Sequence, residues 1–150
     1  MTLKRGFQFE FEIPSGWRDD SDSPRRIVVH GPHDEELIVS GAVVAERAPG
    51  ATGRQDQVRT LFDRTVLVAK SVLEKQGLQK VDEHQPDWDA ELPVYRLSAL
   101  SPDAKVAFLQ AVAQGTAGVL YMTLESPIDQ DPQASFSRFI SSVRTVSFTA

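Results

Sequence analysis

Three histidines, at positions 30, 33 and 84, are the side chains of this chain whose ordinary pKa best suits proton transfer or metal ligation near neutral pH. His30-Gly31-Pro32-His33 has the look of half a metal site. A zinc site takes three or four protein ligands, however, and Gly-Pro forces a turn between this pair with no third ligand close in sequence. No metal and no cofactor is therefore expected. A serine hydrolase requires a strained nucleophile turn of the type G-x-S-x-G, which is missing, and Ser40 in Val39-Ser40-Gly41-Ala42 reads as a small packing residue inside an apolar strand. The glycines at 41, 50, 53, 77, 115 and 118 never reach the spacing of a phosphate loop or dinucleotide fingerprint ahead of a helix. The acidic pairs Asp19-Asp20 and Glu35-Glu36 fall in predicted loops, where they read as solubilising charge. The absence of cysteine removes disulfides, thiolate ligands, a cysteine nucleophile and a lipoprotein anchor together. These residues predict a protein that is not an enzyme.

The constellation better suited to recognition is a set of aromatic, aliphatic and hydrogen-bonding side chains on two or three adjacent strands. A two-residue turn at Gly115-Thr116 pairs Gln114 with Ala117 and then sets Val112 opposite Val119, Gln110 opposite Tyr121 and Phe108 opposite Thr123. The alternate residues, Ala107, Leu109, Ala111, Leu120, Met122 and Leu124, are wholly apolar and are expected to face the helices. A three-residue turn at Pro102-Asp103-Ala104 adds Tyr95, Leu97 and Ala99 to that core face, and Arg96 and Ser98 to the mixed one. Arg96, Ser98, Phe108, Gln110, Val112, Val119, Tyr121 and Thr123 are thus the candidate partner-binding residues. Their mixture suits the capture of a peptide or helix.

The elements that must position this face are legible from periodicity. Phe7, Phe9, Phe11 and Ile13 alternate with Gln8, Glu10 and Glu12, which is strand period two, and Pro14-Ser15-Gly16 ends the strand and returns Trp17 to the core. Arg18 to Arg26 reads as a charged loop, Ile27-Val28-Val29 as a short strand, and Leu37 to Ala45 as a strand buried on both faces or bulged at Gly41. Pro49-Gly50-Ala51-Thr52-Gly53 breaks the chain. Val58, Leu61, Phe62, Thr65, Ala69, Val72 and Leu73 then recur at helical steps, with Gly77 fitted to the left-handed position after the helix. Strands are predicted at Leu78 to Glu83, Pro93 to Leu100, Lys105 to Gln114 and Gly118 to Glu125, with a loop carrying Trp88 inward. Asp131-Pro132 opens a last helix whose apolar stripe is Phe136, Phe139, Ile140 and Val143. The fold class is α+β, an antiparallel β-sheet of about six strands flanked by two main helices, in a single domain over residues 1–150.

At 150 residues the chain buries enough surface to need no metal or disulfide staple. A net charge of −5 disfavours general binding to nucleic acid or anionic membrane. Met1-Thr2-Leu3-Lys4-Arg5 runs into alternating Phe and Glu, not into the apolar core of a signal peptide, and no segment approaches a membrane span, so a cytoplasmic location is expected.

Met1-Thr2-Leu3 with Arg5, then Glu12-Ile13-Pro14 and Trp17 with Asp19 and Ser21, resembles the opening of bacterial effector-associated (Eag) chaperones of type VI secretion. These belong to the wider DcrB-like group, whose fold is similar to that of PsbP and Mog. The resemblance implies a PsbP-like antiparallel sheet flanked by helices, and a homodimer whose apolar groove shields the N-terminal hydrophobic helices of an effector. It also implies a non-catalytic chaperone or adaptor with a protein partner; from charge and hydropathy, no nucleic acid and no membrane insertion are expected. DcrB itself is a lipoprotein, and this chain lacks the cysteine. Lys105 to Gln114 is poorer in charge and richer in alanine than in those chaperones, so no client-contacting residue is carried across. The alternative is an immunity-type or general interaction module that binds a folded partner.

Overall fold

A computed structural model describes residues 2–6, 9–44 and 53–145. The strand predicted from Phe7 is seen from Phe9 onward; Phe7, Ala45 and the predicted break over 49–52 lie outside the described residues.

The chain runs β1 (Thr2–Arg5), β2 (Phe9–Ile13), β3 (Arg18–Asp19), β4 (Arg26–His30), β5 (Glu36–Val43), α1 (Arg54–Lys75), β6 (Gln79–His84), β7 (Val94–Leu100), β8 (Val106–Gln114), β9 (Gly118–Pro127), α2 (Pro132–Ser142) and β10 (Arg144–Thr145). Seven strands form one antiparallel sheet in the order β3-β4-β5-β9-β8-β7-β6, and β1-β2-β10 form a smaller one. The architecture is the expected α+β class, with more strands than the six foreseen. The segment expected to be a charged loop supplies an edge strand, because Arg18 and Asp19 pair with His30 and Val29.

The two faces of the large sheet are covered differently. On one, β2 presents Phe9, Phe11 and Ile13 and α2 presents Phe136 and Phe139 to Ala107, Leu109, Ala111, Leu120, Met122 and Leu124, all buried. Period two in β2 and period 3.6 in α2 are what bring these side chains to one surface. Trp17 packs here as expected, its ring 5.0 Å from that of Phe139 and near edge-on. On the other face α1 lays Val58, Phe62, Ala69 and Leu73 over Tyr95, Leu97, Ala99, Val112 and Val119. Helix α1 ends in a Schellman cap: Gly77 sits at φ 66°, Leu78 N–H donates to Leu73 O and Gly77 N–H to Glu74 O, both at 3.1 Å. Asp131 precedes α2 in the left-handed region (φ 49°) and makes no side-chain cap, so the helix starts on Pro132 alone. β5 carries no bulge at Gly41, which pairs in register with Leu120.

Two register differences decide which side chains share a face. In the β8–β9 hairpin the two-residue turn sits one position later than expected, at Thr116-Ala117, with Gly115 N–H bonded to Gly118 O at 2.9 Å. Val112 therefore pairs with Tyr121 and Gln110 with Thr123, a slip of two that leaves every side chain on its expected face. In the β7–β8 hairpin the loop is one residue longer than expected. Ser101 N–H donates to Val106 O, and Ala104 adopts φ 58°, a conformation uncommon for a residue with a Cβ. The Asp103 carboxylate makes the turn possible by accepting from the Ser101 hydroxyl at 2.6 Å and the Lys105 amide at 3.1 Å. That odd slip turns all of β7 over.

A half-covered sheet face as candidate functional site

Through their pairing partners, the α1-side residues of the large sheet form rows running across the strands. One row reads Arg18, His30, Glu36, Glu125, Phe108, Ala99, Lys80; the next reads Val28, Ile38, Thr123, Gln110, Leu97, Glu83. A third reads Arg26, Ser40, Tyr121, Val112, Tyr95. Helix α1 packs on β7, β8 and β9. Among the described residues nothing comparable covers the β4–β5 half, where Val28, Ile38 and Ser40 stay half-buried, as do Tyr121 and Thr123 on the adjoining β9, at the margin of α1.

The orientation of α1 sets the wall of this open half. Lys70 reaches toward β6 and β7, its Nζ 3.4 Å from the Glu83 carboxylate and 5.8 Å from the Tyr95 ring centre. At 3.6 residues per turn, Leu61, Val68 and Val72 occupy the opposite flank, toward β9 and β5. Val68 is 51% exposed there. An apolar helix flank and a floor of two aliphatic and three hydroxyl side chains thus lie on the same side of the sheet.

Of the eight residues expected to form one binding face, the structure keeps six together and removes two. Arg96 and Ser98 are on the opposite face, beneath α2, because the longer turn at 101–106 inverted β7. Arg96 donates to Ser137 Oγ at 3.2 Å and lies 5.6 Å from the Phe136 ring centre, and its burial lowers its pKa. Ser98 accepts from Gln133 Nε2 at 2.9 Å. The helices were expected on the other face alone, but α1 covers this one, so Val112 and Val119 keep their strand face and are buried under the helix. Phe108, Gln110, Tyr121 and Thr123 also hold it; Gln110 is buried and donates from Nε2 to the Tyr121 hydroxyl at 2.6 Å. Burial raises the pKa of Tyr121. Tyr95, Leu97 and Ala99 trade places with Arg96 and Ser98 and serve as core under α1.

Val28, Ile38 and Ser40 were not among the expected site residues. They join it because β5 pairs with β9, a contact across more than eighty positions of sequence that no local periodicity encodes.

The charged groups are organised as ties between elements. The Glu83 carboxylate accepts from the buried Tyr95 hydroxyl and from Lys80 at 3.1 Å, besides its pairing with Lys70. The Tyr95 bond, followed by the lysines, holds the Glu83 pKa down to about 2, and burial drives that of Tyr95 upward. His30 contacts Asp20 through Nδ1 at 2.6 Å and Glu36 through Nε2 at 3.0 Å. Because the two carboxylates occupy opposite ring nitrogens, they cannot converge with it on one metal ion, and no metal-holding cluster occurs among the described residues. All four carboxylates read as solubilising loop charge do other work: Asp20 and Glu36 hold His30, and the remaining two tie neighbouring segments. Asp19 pairs with Lys4 at 2.8 Å, and Glu35 is buried with its Oε1 accepting the His33 amide at 2.6 Å. A cleft of about 560 Å³ also opens at the end of α2, lined by Leu92, Val94, Ile140 and Val143 with Glu91 and Arg144 at its rim.

No protein-family model matches the chain, and no curated protein does. Solved structures do. The chain is similar to the solution structure of cyanobacterial PsbP (CyanoP) from Synechocystis sp. PCC 6803, with 18% identity over 96% of this chain and 92% of that one, and a TM-score of 0.62. The chain has a PsbP-like fold. It is also similar to a crystal structure from Bacteroides thetaiotaomicron VPI-5482, at 12% identity and a TM-score of 0.52 over 97% of this chain; it spans about half the length of that protein (48%). At such identities the PsbP-like likeness is one of fold. No described helix is long and apolar enough to cross a membrane.

Proposed function

We propose that the chain is a non-catalytic binding module that holds an apolar protein segment against the open half of its α1-side sheet face, in the manner of a cytosolic chaperone or adaptor for a type VI secretion effector. The observation that carries this reading is the half-covered floor of Val28, Ile38, Ser40, Tyr121 and Thr123 beside the apolar flank of α1. A bound helix or strand can bury the aliphatic groups there while its polar atoms meet the three hydroxyls. The resemblance of Glu12-Ile13-Pro14 and Trp17 to the opening of the effector-associated chaperones adds to it, as does the PsbP-like fold.

Co-expression with the N-terminal hydrophobic segment of a type VI effector, followed by affinity capture, tests the proposal. Wild-type protein is expected to retain the segment, and Ile38→Asp to lose it while keeping its circular dichroism spectrum. Capture that is indifferent to Ile38→Asp would remove the sheet face from the reading; no capture by any such segment would remove the chaperone role.

A further inference from the structure

We propose that Asp20, His30 and Glu36 form a proton-operated latch, closed when the imidazole is charged, that fastens the strap of residues 17–20 to the β4–β5 hairpin. The strap carries the chain from the small sheet to the edge of the large one. Trp17 anchors it on Phe139, and Arg18–Asp19 pair with β4. Lys4 of β1 bonds Asp19 at 2.8 Å, and the Asp20 amide donates to Val28 O at 2.8 Å. The latch closes its far end.

The geometry requires a charged ring. Asp20 Oδ2 lies 2.6 Å from Nδ1 and Glu36 Oε2 lies 3.0 Å from Nε2. An ionised carboxylate only accepts, and a neutral imidazole has one N–H to give, so both contacts are hydrogen bonds only in the imidazolium. The carboxylates in contact with the ring favour that state from two elements. Asp20 lies on the strap and Glu36 on β5; Glu125 of β9, the next group along the row, pairs with Glu36 and does not contact the ring. Arg18, on the strap, is held by Asp20 through Nε at 2.8 and 3.0 Å. The pKa directions agree with the contacts: His30 is raised by its bond to Asp20 and then by that to Glu36, and Asp20 is lowered by His30 and then by Arg18.

The sign follows from linkage. A raised histidine pKa stabilises the closed latch fully below the unfolded value of about 6.5 and loses that contribution as pH climbs through the folded value. Once the ring is neutral, one nitrogen lone pair faces a carboxylate oxygen. The strap then frays from the outer edge of β4, which the two-residue β3 otherwise covers beside His30.

Histidine ring 1H–15N spectra and backbone amide exchange across pH 5.5 to 9 test the latch. His30 is expected to show both ring protons at the acid end. Protection of the Asp20 amide, corrected for intrinsic exchange, is expected to fall about tenfold for each unit by which the His30 pKa is raised, while the amides of β8 stay protected. Glu36→Gln, which keeps the ring and its Asp20 contact, is expected to move the midpoint to lower pH. His30→Gln is expected to leave Asp20 weakly protected at every pH. A neutral His30 ring at pH 6, an unmoved midpoint in Glu36→Gln, or Asp20 protection as high and flat in His30→Gln as that of β8 would each overturn the proposal.

Discussion

The two faces of the seven-stranded sheet are built from the same strands and do opposite things. The face under α2 and β2 is built mainly of phenylalanine, leucine and alanine, and its polar residues Arg96 and Ser98 are tied to α2. The face under α1 mixes valine and leucine with Gln110, Tyr121 and the Tyr95–Glu83 pair, and α1 spans only part of it. A close-packed apolar face fixes the fold and, away from the cleft at the end of α2, has no room for a partner. The half-covered face stores less packing energy and keeps a surface to which another chain can add. If this division is correct, substitutions on the two faces separate cleanly into losses of stability and losses of binding.

The largest effect is expected from Phe139→Ala. Phe139 is buried between Trp17 and Phe11, whose ring centres are 5.0 and 6.2 Å from its own. Truncation to alanine removes both edge contacts and leaves a cavity beneath α2, at a cost of about 3–5 kcal/mol. Urea unfolding measures it directly. A loss below about 1 kcal/mol would mean that this face is not the one that fixes the fold.

Glu83→Gln probes the charged tie under α1. A glutamine still accepts from Tyr95 but loses the charge that Lys70 and Lys80 approach, so a loss of about 1–2 kcal/mol at pH 7 is expected. The pH profile is the sharper reading. With its folded pKa depressed to about 2, Glu83 contributes stability that is present above its unfolded value of about 4.5 and is lost as pH falls through 2. Stability of the wild type should therefore fall more steeply over that window than stability of Glu83→Gln. Parallel profiles would show that the tie is not formed.

Ile38→Ala belongs to the open half and is expected to cost about 1 kcal/mol or less, because a half-buried side chain loses only part of its transfer energy. Its effect on capture of an apolar segment is expected to exceed its effect on stability. Equal effects in the two assays would erase the distinction between the faces.

What the sequence made legible follows from the range over which each signal acts. Alternation in Phe9–Ile13 and the 3.6 period of Val58 to Leu73 are local, and both elements stand where the pattern placed them. The Schellman cap at Gly77 was legible for the same reason, since one residue type answers one backbone conformation. The face of β7 was not legible, because it hangs on Ala104 taking φ 58°, which no turn rule assigns to alanine. A single extra loop residue carried Arg96 and Ser98 away from the candidate site and put Tyr95 and Leu97 in their place. The β8–β9 turn was misplaced too, yet Gln110 and Tyr121 kept their face because that error was even. The partnership of β5 with β9 has no local signature, and it alone adds Ile38 and Ser40 to the floor.

The smallest expected effect sharpens the comparison from outside both faces. Asp63 accepts from Arg59 Nε at 3.2 Å on the exposed side of α1, four residues along the helix. An exposed pair of this spacing is worth about 0.3–0.5 kcal/mol and is screened by salt. Arg59, however, also lies 3.6 Å from the centre of the Trp88 ring, which packs edge-on against Phe62. Asp63→Ala removes the ion pair and leaves that stack, so the expected loss is a few tenths of a kcal/mol and disappears in high salt. Arg59→Ala removes both, and its additional loss should persist in salt because a cation held against an aromatic face is partly desolvated. Identical, salt-erased losses in the two variants would show that the Arg59–Trp88 stack contributes nothing beyond the Phe62 edge contact.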